Sequence, residues 1–374
     1  MDVKKIKLHL AIRSLNIGGA ERQFITLVKN IDKNRFDITV SSMYGGVQEE
    51  LIKTLENVRY YNLNKKGRYD IVEFYTKYKK LLKEISPDVI YSFKEEMNVF
   101  SFLCKSKHTK IIWGFRASNM DLKKYAKASQ ILFWLQKFFS SNVDMIISNS
   151  NASIEYHKNN GYLMNKAIVI PNGIDTDKFK RNELHREEFR KKYNLKSTDI
   201  AVGIVARIDF MKGYLIFSQV AKNILDKYQN IYFFSIGSGD KNLKNECQNI
   251  LEKNPRFIWL GHQTNVEEIY SALDISSSPS SFGEGFSNSI AEAMSCNLPC
   301  VVTEVGDSAL IVGKYGVLTK ADNVKDFQNG LEWLIKSSYE DSSTKYRQRI
   351  VENFSIATMV ANTQQAIVEV INEK

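Results

Sequence analysis

Short runs of β-branched and aromatic residues alternate with segments of helical hydrophobic period from one end of the chain to the other. No other feature of the sequence constrains the fold as tightly. Ile6–Leu15 reads as a strand, after which Ala20, Phe24, Leu27, Val28 and Ile31 recur at helical spacing. Phe36–Tyr44 reads as a second strand and Val47–Asn57 as a helix. Val58–Leu63, Asp88–Phe93, Lys110–Phe115 and Val143–Ser148 are further strands. The pattern restarts at Asp199–Ala206 and continues through Asn230–Ile236, Arg256–Leu260, Asp274–Ser278 and Pro299–Thr303. Such alternation predicts parallel sheets joined by crossovers, so the 374 residues read as two doubly wound, Rossmann-like α/β domains. A polar, charged stretch from Asn172 to Asn194, opening on the turn signal Pro171-Asn172-Gly173, is expected to separate them.

Composition removes other classes. With 43 % hydrophobic and 25 % charged residues the chain is neither disordered nor fibrous. The aliphatic-aromatic run Ile131–Leu135 is far short of the about 20 residues that a membrane span needs. The first residues are basic, but His9 and Arg13 interrupt the apolar stretch, which suits a first strand better than a signal peptide. Cys104, Cys247, Cys296 and Cys300 form neither a disulfide framework nor a zinc set, and read as buried thiols. Charge is uneven: residues 1–180 hold 30 Lys+Arg and 18 Asp+Glu, net +12, and the rest hold 22 and 24, net −2. A basic half suits an anionic membrane surface or a phosphorylated substrate. No helix-turn-helix, zinc-finger or aromatic RNA-binding signature accompanies it, so nucleic acid is not an expected partner.

In doubly wound sheets, ligands bind beyond the carboxyl ends of the strands, and the informative residues lie there. Asn16-Ile17-Gly18-Gly19-Ala20-Glu21 follows the first strand. Its two glycines allow a ligand close to the backbone, and the next helix presents amides to an anion, although a plain tight turn uses the same residues. Ala206-Arg207-Ile208-Asp209-Phe210-Met211-Lys212-Gly213 follows the first strand of the second half. Arg207 can fork onto phosphate oxygens, and Lys212 adds a point charge five residues on. Ile236-Gly237-Ser238-Gly239-Asp240 is another glycine-rich strand end. In Phe282-Gly283-Glu284-Gly285-Phe286-Ser287-Asn288, Ser287 or Asn288 can cap the following helix, which carries Glu292. Singly, each piece can be a cap or a surface charge. Together, two cations, three glycine-rich turns and two carboxylates point to a nucleotide diphosphate site.

In this order the motifs resemble those of the retaining glycosyltransferases of the GT-B fold, family 4 (group 1). The likeness covers nearly the whole chain. Gly18-Gly19-Ala20-Glu21-Arg22 resembles the family's N-terminal loop and Ile170-Pro171-Asn172-Gly173-Ile174-Asp175 its interdomain turn. Arg207 and Lys212 match its pyrophosphate-binding pair, Glu284 and Glu292 its paired glutamates, and Gly306-Asp307-Ser308 follows as in exopolysaccharide transferases. The resemblance implies two Rossmann-like domains facing across a cleft. Residues 1–172 would bind the acceptor, completed by a C-terminal crossover helix, 355–374, and residues 173–354 the nucleotide-sugar. It implies catalytic roles for Arg207, Lys212 and Glu284, which would stabilise the departing diphosphate and hold the donor sugar without a metal ion or any cofactor. Gly18, Gly19, Gly237, Gly285, Phe286, Ser287, Asn288 and Glu292 would bind the donor, with Glu292 accepting from ribose hydroxyls. The donor would be a UDP- or GDP-sugar. The acceptor would be a lipid-linked or growing glycan in capsule, exopolysaccharide or lipopolysaccharide assembly. The protein would be cytoplasmic, with peripheral contact on the anionic inner face of the cell membrane. A catalytically silent nucleotide-binding subunit and a sugar-nucleotide epimerase are the alternative readings.

Several residues depart from that pattern. Asp175-Thr176-Asp177 spells a metal motif of another transferase fold, but it follows the interdomain turn and reads as a cap. Many relatives place a histidine where this chain has Trp113-Gly114-Phe115-Arg116, and Arg116 is instead a candidate contact for acceptor or phosphate. Asp121–Asn142 combines Lys123, Lys124, Lys127 and Lys137 with Ile131-Leu132-Phe133-Trp134-Leu135 and Phe138-Phe139. That segment suits a membrane interface or a core helix. Met359, Val360, Ile367, Val368 and Ile371 predict a C-terminal helix that returns to the first domain.

Overall fold

The computed structural model describes residues 5–67, 69–116, 127–337 and 343–373. Two compact units are present: Met1–Gly173 with Ile356–Lys374, and Ile174–Ser355. The first contains a parallel sheet of seven strands: β1 (Ile6–Ile12), β2 (Phe36–Ser42), β3 (Val58–Asn62), β4 (Val89–Phe93), β5 (Lys110–Phe115), β6 (Met145–Ser148) and β7 (Ala167–Val169), in the order β3-β2-β1-β4-β5-β6-β7. The second has six: β8 (Ile200–Val205), β9 (Ile231–Ile236), β10 (Phe257–Gly261), β11 (Ile275–Ser278), β12 (Cys300–Thr303) and β13 (Val317–Thr319), in the order β10-β9-β8-β11-β12-β13. Central strands such as β4 are buried along their whole length because helices cover both faces.

The C-terminal helix Ile356–Asn372 belongs to the first unit. Met359, Val360, Ala366, Ile367 and Val370 sit in one core with Phe24 and Val28 of the first helix and with β1, β2 and β4. Gly173 makes the close approach possible, since a Cβ there would lie 2.9 Å from the Ile356 Cα. Gln23 clamps the same residue, donating to its carbonyl at 3.0 Å and accepting from its amide at 2.9 Å.

Several elements differ from the sequence reading. The expected separator contains the helix Glu183–Lys192, part of the second unit. Its Arg186 and Arg190 both reach Asp274, at 2.6 and 3.1 Å, and Arg190 also donates to the Lys196 and Asp199 carbonyls. The charges that suggested a linker are the groups that dock it. The helix expected over Val47–Asn57 spans only Glu49–Lys53. β7 and β13, each three residues at a sheet edge, are too short to show a period. His9 is fully buried between Thr39 Oγ1 (2.8 Å) and Ser41 Oγ (2.9 Å), and burial lowers its pKa to about 3, so it is a neutral core residue.

Because Ile367 has no exposed surface, Ile367→Ala is expected to cost the first unit about 2–5 kcal/mol. Urea denaturation followed by circular dichroism measures it. A change under about 0.5 kcal/mol, as for an ordinary surface substitution, would contradict the packing described.

Candidate functional site

The loop after β8 builds one side of the candidate site in the second unit. Asp209 accepts from the Met211 amide at 3.0 Å and from Arg207 Nη2 at 2.7 Å, so one carboxylate shapes the turn and aims the guanidinium. The Arg207 side chain stays 67 % exposed. A short turn of 3-10 helix, Phe210–Lys212, then delivers Lys212, and Gly213 follows at φ +67°. A Cβ at Gly213 would lie 1.8 Å from the Pro279 carbonyl oxygen, so only glycine lets this loop close on the one after β11.

Lys212 points into that second loop. Its Nζ is 2.5 Å from Glu284 Oε1, and Ser280 Oγ donates to the same oxygen at 2.7 Å. Glu284 is buried and Lys212 is 20 % exposed, so the pair is largely shielded from water. The loop is held from both sides. Ser281 N–H donates to the Met211 carbonyl at 2.9 Å, Thr303 Oγ1 to Ser280 at 2.6 Å and Asp307 N–H to Gly285 at 3.0 Å. Gly306, at φ +61°, passes so close that a Cβ would lie 2.5 Å from the Glu284 carbonyl oxygen.

The other expected residues fall around these loops. Gly237, at φ +138°, directly follows β9, and a Cβ there would lie 2.0 Å from the Ala206 carbonyl oxygen, so it supports the Arg207 loop. The Phe286 ring is buried against Phe354 at 5.4 Å, which leaves only its backbone for a ligand. Ser287 precedes the helix Asn288–Ser295, but the cap anticipated from its side chain is not made: its Oγ lies 3.2 Å from Ser289 Oγ. Glu292 is buried in that helix, close enough to Cys296 that its charge, second to burial, helps push the thiol up to about 12.

Gly18, Gly19 and Arg116 belong to the first unit. Gly18 caps the first helix in extended backbone, and Gly19 has open space where a Cβ would stand. The sequence reading missed Glu21 and Lys94 as a pair. Buried Glu21 lies 2.5 Å from the Lys94 Nζ, and Lys94, directly after β4, takes φ +73°. A left-handed lysine leaves no trace in hydrophobic period. Arg116 Nη2 donates to the Tyr91 hydroxyl at 2.8 Å, and its guanidinium lies 4.5 Å from the Phe93 ring centre.

Asp175 Oδ1 accepts from the Lys178 amide at 3.0 Å, as a cap does. No group of three or more His, Cys, Asp or Glu side chains that could hold a metal ion is found among the described residues. His157 is buried, with Nδ1 2.7 Å from the Ser153 carbonyl, and burial lowers its pKa to about 4.

The family model described as glycosyl transferases group 1 matches residues 185–354, and the model of glycosyltransferase family 4 matches residues 17–178. The UDP-Gal:alpha-D-GlcNAc-diphosphoundecaprenol alpha-1,3-galactosyltransferase of Escherichia coli is 25 % identical over 341 residues, 87 % of this chain and 82 % of that protein. The N,N'-diacetylbacillosaminyl-diphospho-undecaprenol alpha-1,3-N-acetylgalactosaminyltransferase of Campylobacter jejuni is 27 % identical, covering 69 % of this chain and 70 % of that one. Among solved structures, Anabaena HepE in complex with UDP superposes with a TM-score of 0.80 at 19 % identity, over 97 % of this chain and all of HepE. At that identity the likeness concerns the fold alone.

Lys212→Met strips the buried Glu284 carboxylate of its cation, and is expected to destabilise the second unit by about 3–5 kcal/mol. Adding Glu284→Gln should restore part of the loss. Denaturant titration of both single variants and the double variant gives the coupling, and additive losses would contradict a direct pair.

Proposed function

Because the chain belongs to the group 1 (family 4) glycosyltransferases of the GT-B fold, we propose that it moves a sugar, with retention of configuration and without a metal ion, from a UDP- or GDP-sugar to a lipid-linked or growing glycan. The observation that carries this reading is the loop pair in the second unit, where Arg207 stands exposed and Lys212 is seated against Glu284 at the carboxyl edge of a parallel sheet. Two cations there can stabilise the charge that builds on a leaving nucleoside diphosphate, the role that a divalent ion fills elsewhere. Glu284 orients Lys212 toward that charge and, with the backbone of Gly285 to Asn288, holds the donor sugar and its phosphate. Glu292 accepts hydrogen bonds from ribose hydroxyls, and Gly237 lets the diphosphate approach the backbone. In same-face attack the leaving phosphate takes the acceptor's proton, so no carboxylate nucleophile is needed. UDP in HepE supports the donor class, and the diphosphoundecaprenol-linked acceptors of the two bacterial relatives support the acceptor class and a place in surface-polysaccharide assembly.

A lipid-linked acceptor calls for a membrane contact, and we place it on the first unit of a cytoplasmic protein. No helix among the described residues is long and apolar enough to cross a membrane. In the helix Lys127–Phe139, Phe133 and Gln136 turn inward while Ile131, Trp134 and Phe138 stay more than half exposed beside the exposed Lys137. Aromatic and basic side chains on one exposed face favour an anionic interface. Lys123 and Lys124, part of the same sequence motif, lie outside the described residues.

Arg207→Ala is expected to lower turnover about 10²–10³-fold without unfolding the protein, and transfer by the parent enzyme should persist in excess EDTA. Steady-state kinetics with a UDP-sugar panel reads both, and near-normal Arg207→Ala activity or loss of transfer in EDTA would defeat the mechanism.

In co-sedimentation, the protein should bind vesicles containing phosphatidylglycerol more strongly than neutral ones. Binding should fade as the Debye length falls from about 10 Å at 0.1 M salt to about 3 Å at 1 M. Trp134→Ser with Phe138→Ser should weaken it further. Equal, salt-insensitive recovery with both vesicles would remove the membrane contact.

A further inference from the structure

The carboxyl edge of the first unit's sheet carries cations that the donor reaction leaves without a role. β1 and β4 are adjacent, and the strand order runs outward from them in opposite directions, which makes their ends the topological switch point where doubly wound sheets hold ligands. Arg13 directly follows β1 and Lys94 directly follows β4, just beyond the paired residues Ile12 and Phe93. Arg116 directly follows β5, the next neighbour, two residues beyond the partner of Phe93, Gly114. Three adjacent strands therefore each release a cation at one edge.

Their partners differ in a way that matters. Arg13 Nε lies 2.9 Å from Glu96 Oε1, and Lys94 Nζ lies 2.5 Å from Glu21 Oε1. Arg116 has no carboxylate partner among the described residues. Nη2 donates to the Tyr91 hydroxyl and Nη1 reaches Asn172 Oδ1 at 3.4 Å. The ring of Phe93 flanks it, and its buried Nε has no hydrogen-bond partner among the described residues. Holding a guanidinium partly out of water against neutral groups is unfavourable until an anion arrives. The planar fork of Arg suits phosphate oxygens, and Lys94, strained at φ +73°, leaves the neighbouring strand β4 at the same edge, its ammonium held by Glu21.

We propose that this edge is a diphosphate site, with Arg116 as its principal ligand and Lys94 and Arg13 flanking it, and that it holds the diphosphate of a lipid-linked acceptor. The anion site stands on the geometry of the first unit. Its assignment to the acceptor rests on the glycosyltransferase reading above. The acceptor's diphosphate would anchor here, so recognition would begin at the lipid linkage as well as at the sugar.

Calorimetric titration of the full-length protein tests this, with inorganic pyrophosphate, farnesyl diphosphate and farnesol as probes and saturating UDP present to occupy the donor site. Pyrophosphate is expected to bind the UDP-saturated protein. Arg116→Gln should weaken that binding at least tenfold and Arg116→Lys less, with UDP affinity and melting temperature unchanged in both. Farnesyl diphosphate should bind more tightly than pyrophosphate, and farnesol not measurably. Unchanged pyrophosphate affinity in Arg116→Gln overturns the site. Farnesyl diphosphate no tighter than pyrophosphate overturns the lipid-linked assignment. If UDP fails to bind the parent protein, the donor reading fails instead. Pyrophosphate titrated alone into Arg116→Gln and Arg207→Ala then still decides the Arg116 site, since only the first should lose it.

Discussion

Parallel pairing is the constraint on which the rest depends. A strand paired in parallel with its neighbour must be followed by a crossover, so every strand in a sheet ends at the same edge. In each unit that edge gathers loops from distant parts of the sequence: those after β8, β9, β11 and β12 in the second, and those after β1, β4 and β5 in the first. The loops become a site because glycines remove the side chains that would keep them apart. Gly213 meets Pro279, Gly237 meets Ala206 and Gly306 meets Glu284, each at a distance no Cβ could occupy.

Both units then place a buried carboxylate under a lysine at that edge, Glu284 with Lys212 and Glu21 with Lys94. An ion pair withdrawn from water contributes little net stability, because desolvation offsets the attraction. What it supplies is orientation: each ammonium is held in one place by the carboxylate beside it. Arg116 completes the contrast, being a cation that the fold positions with neutral groups only, among the described residues.

Much of the architecture was legible because burial on both faces turns central strands into continuous apolar runs, as in β4 and β5. Legibility failed where an element's support comes from elsewhere in the chain. The helix Glu183–Lys192 is mostly charged, with Leu184 and Phe189 as its apolar residues, and it is docked by Phe189 against Phe234 and by Asp274, some 84–88 residues away in sequence. β7 and β13 exist because a sheet edge was available to pair with, not because three residues prefer to be extended. Within the site, Arg207, Lys212 and Glu284 were readable as charged residues in glycine-rich loops at strand ends. That the Phe286 ring would be buried was not, since an aromatic ring in a loop can face either way until Phe354 packs on it.

The sequence by itself determined the class of fold, the strand ends at which chemistry could sit, and the residue types suited to a diphosphate there. Those follow from period and from local chemistry, which act over a few residues. Only the tertiary structure decided the pairings. Lys212 meets Glu284 across 72 positions of sequence and Lys94 meets Glu21 across 73, while Arg116 finds a hydroxyl, an amide and a ring in place of a carboxylate. Charges so far apart along the chain acquire partners only when parallel pairing brings their strand ends to one edge, and no local pattern encodes which partner that will be.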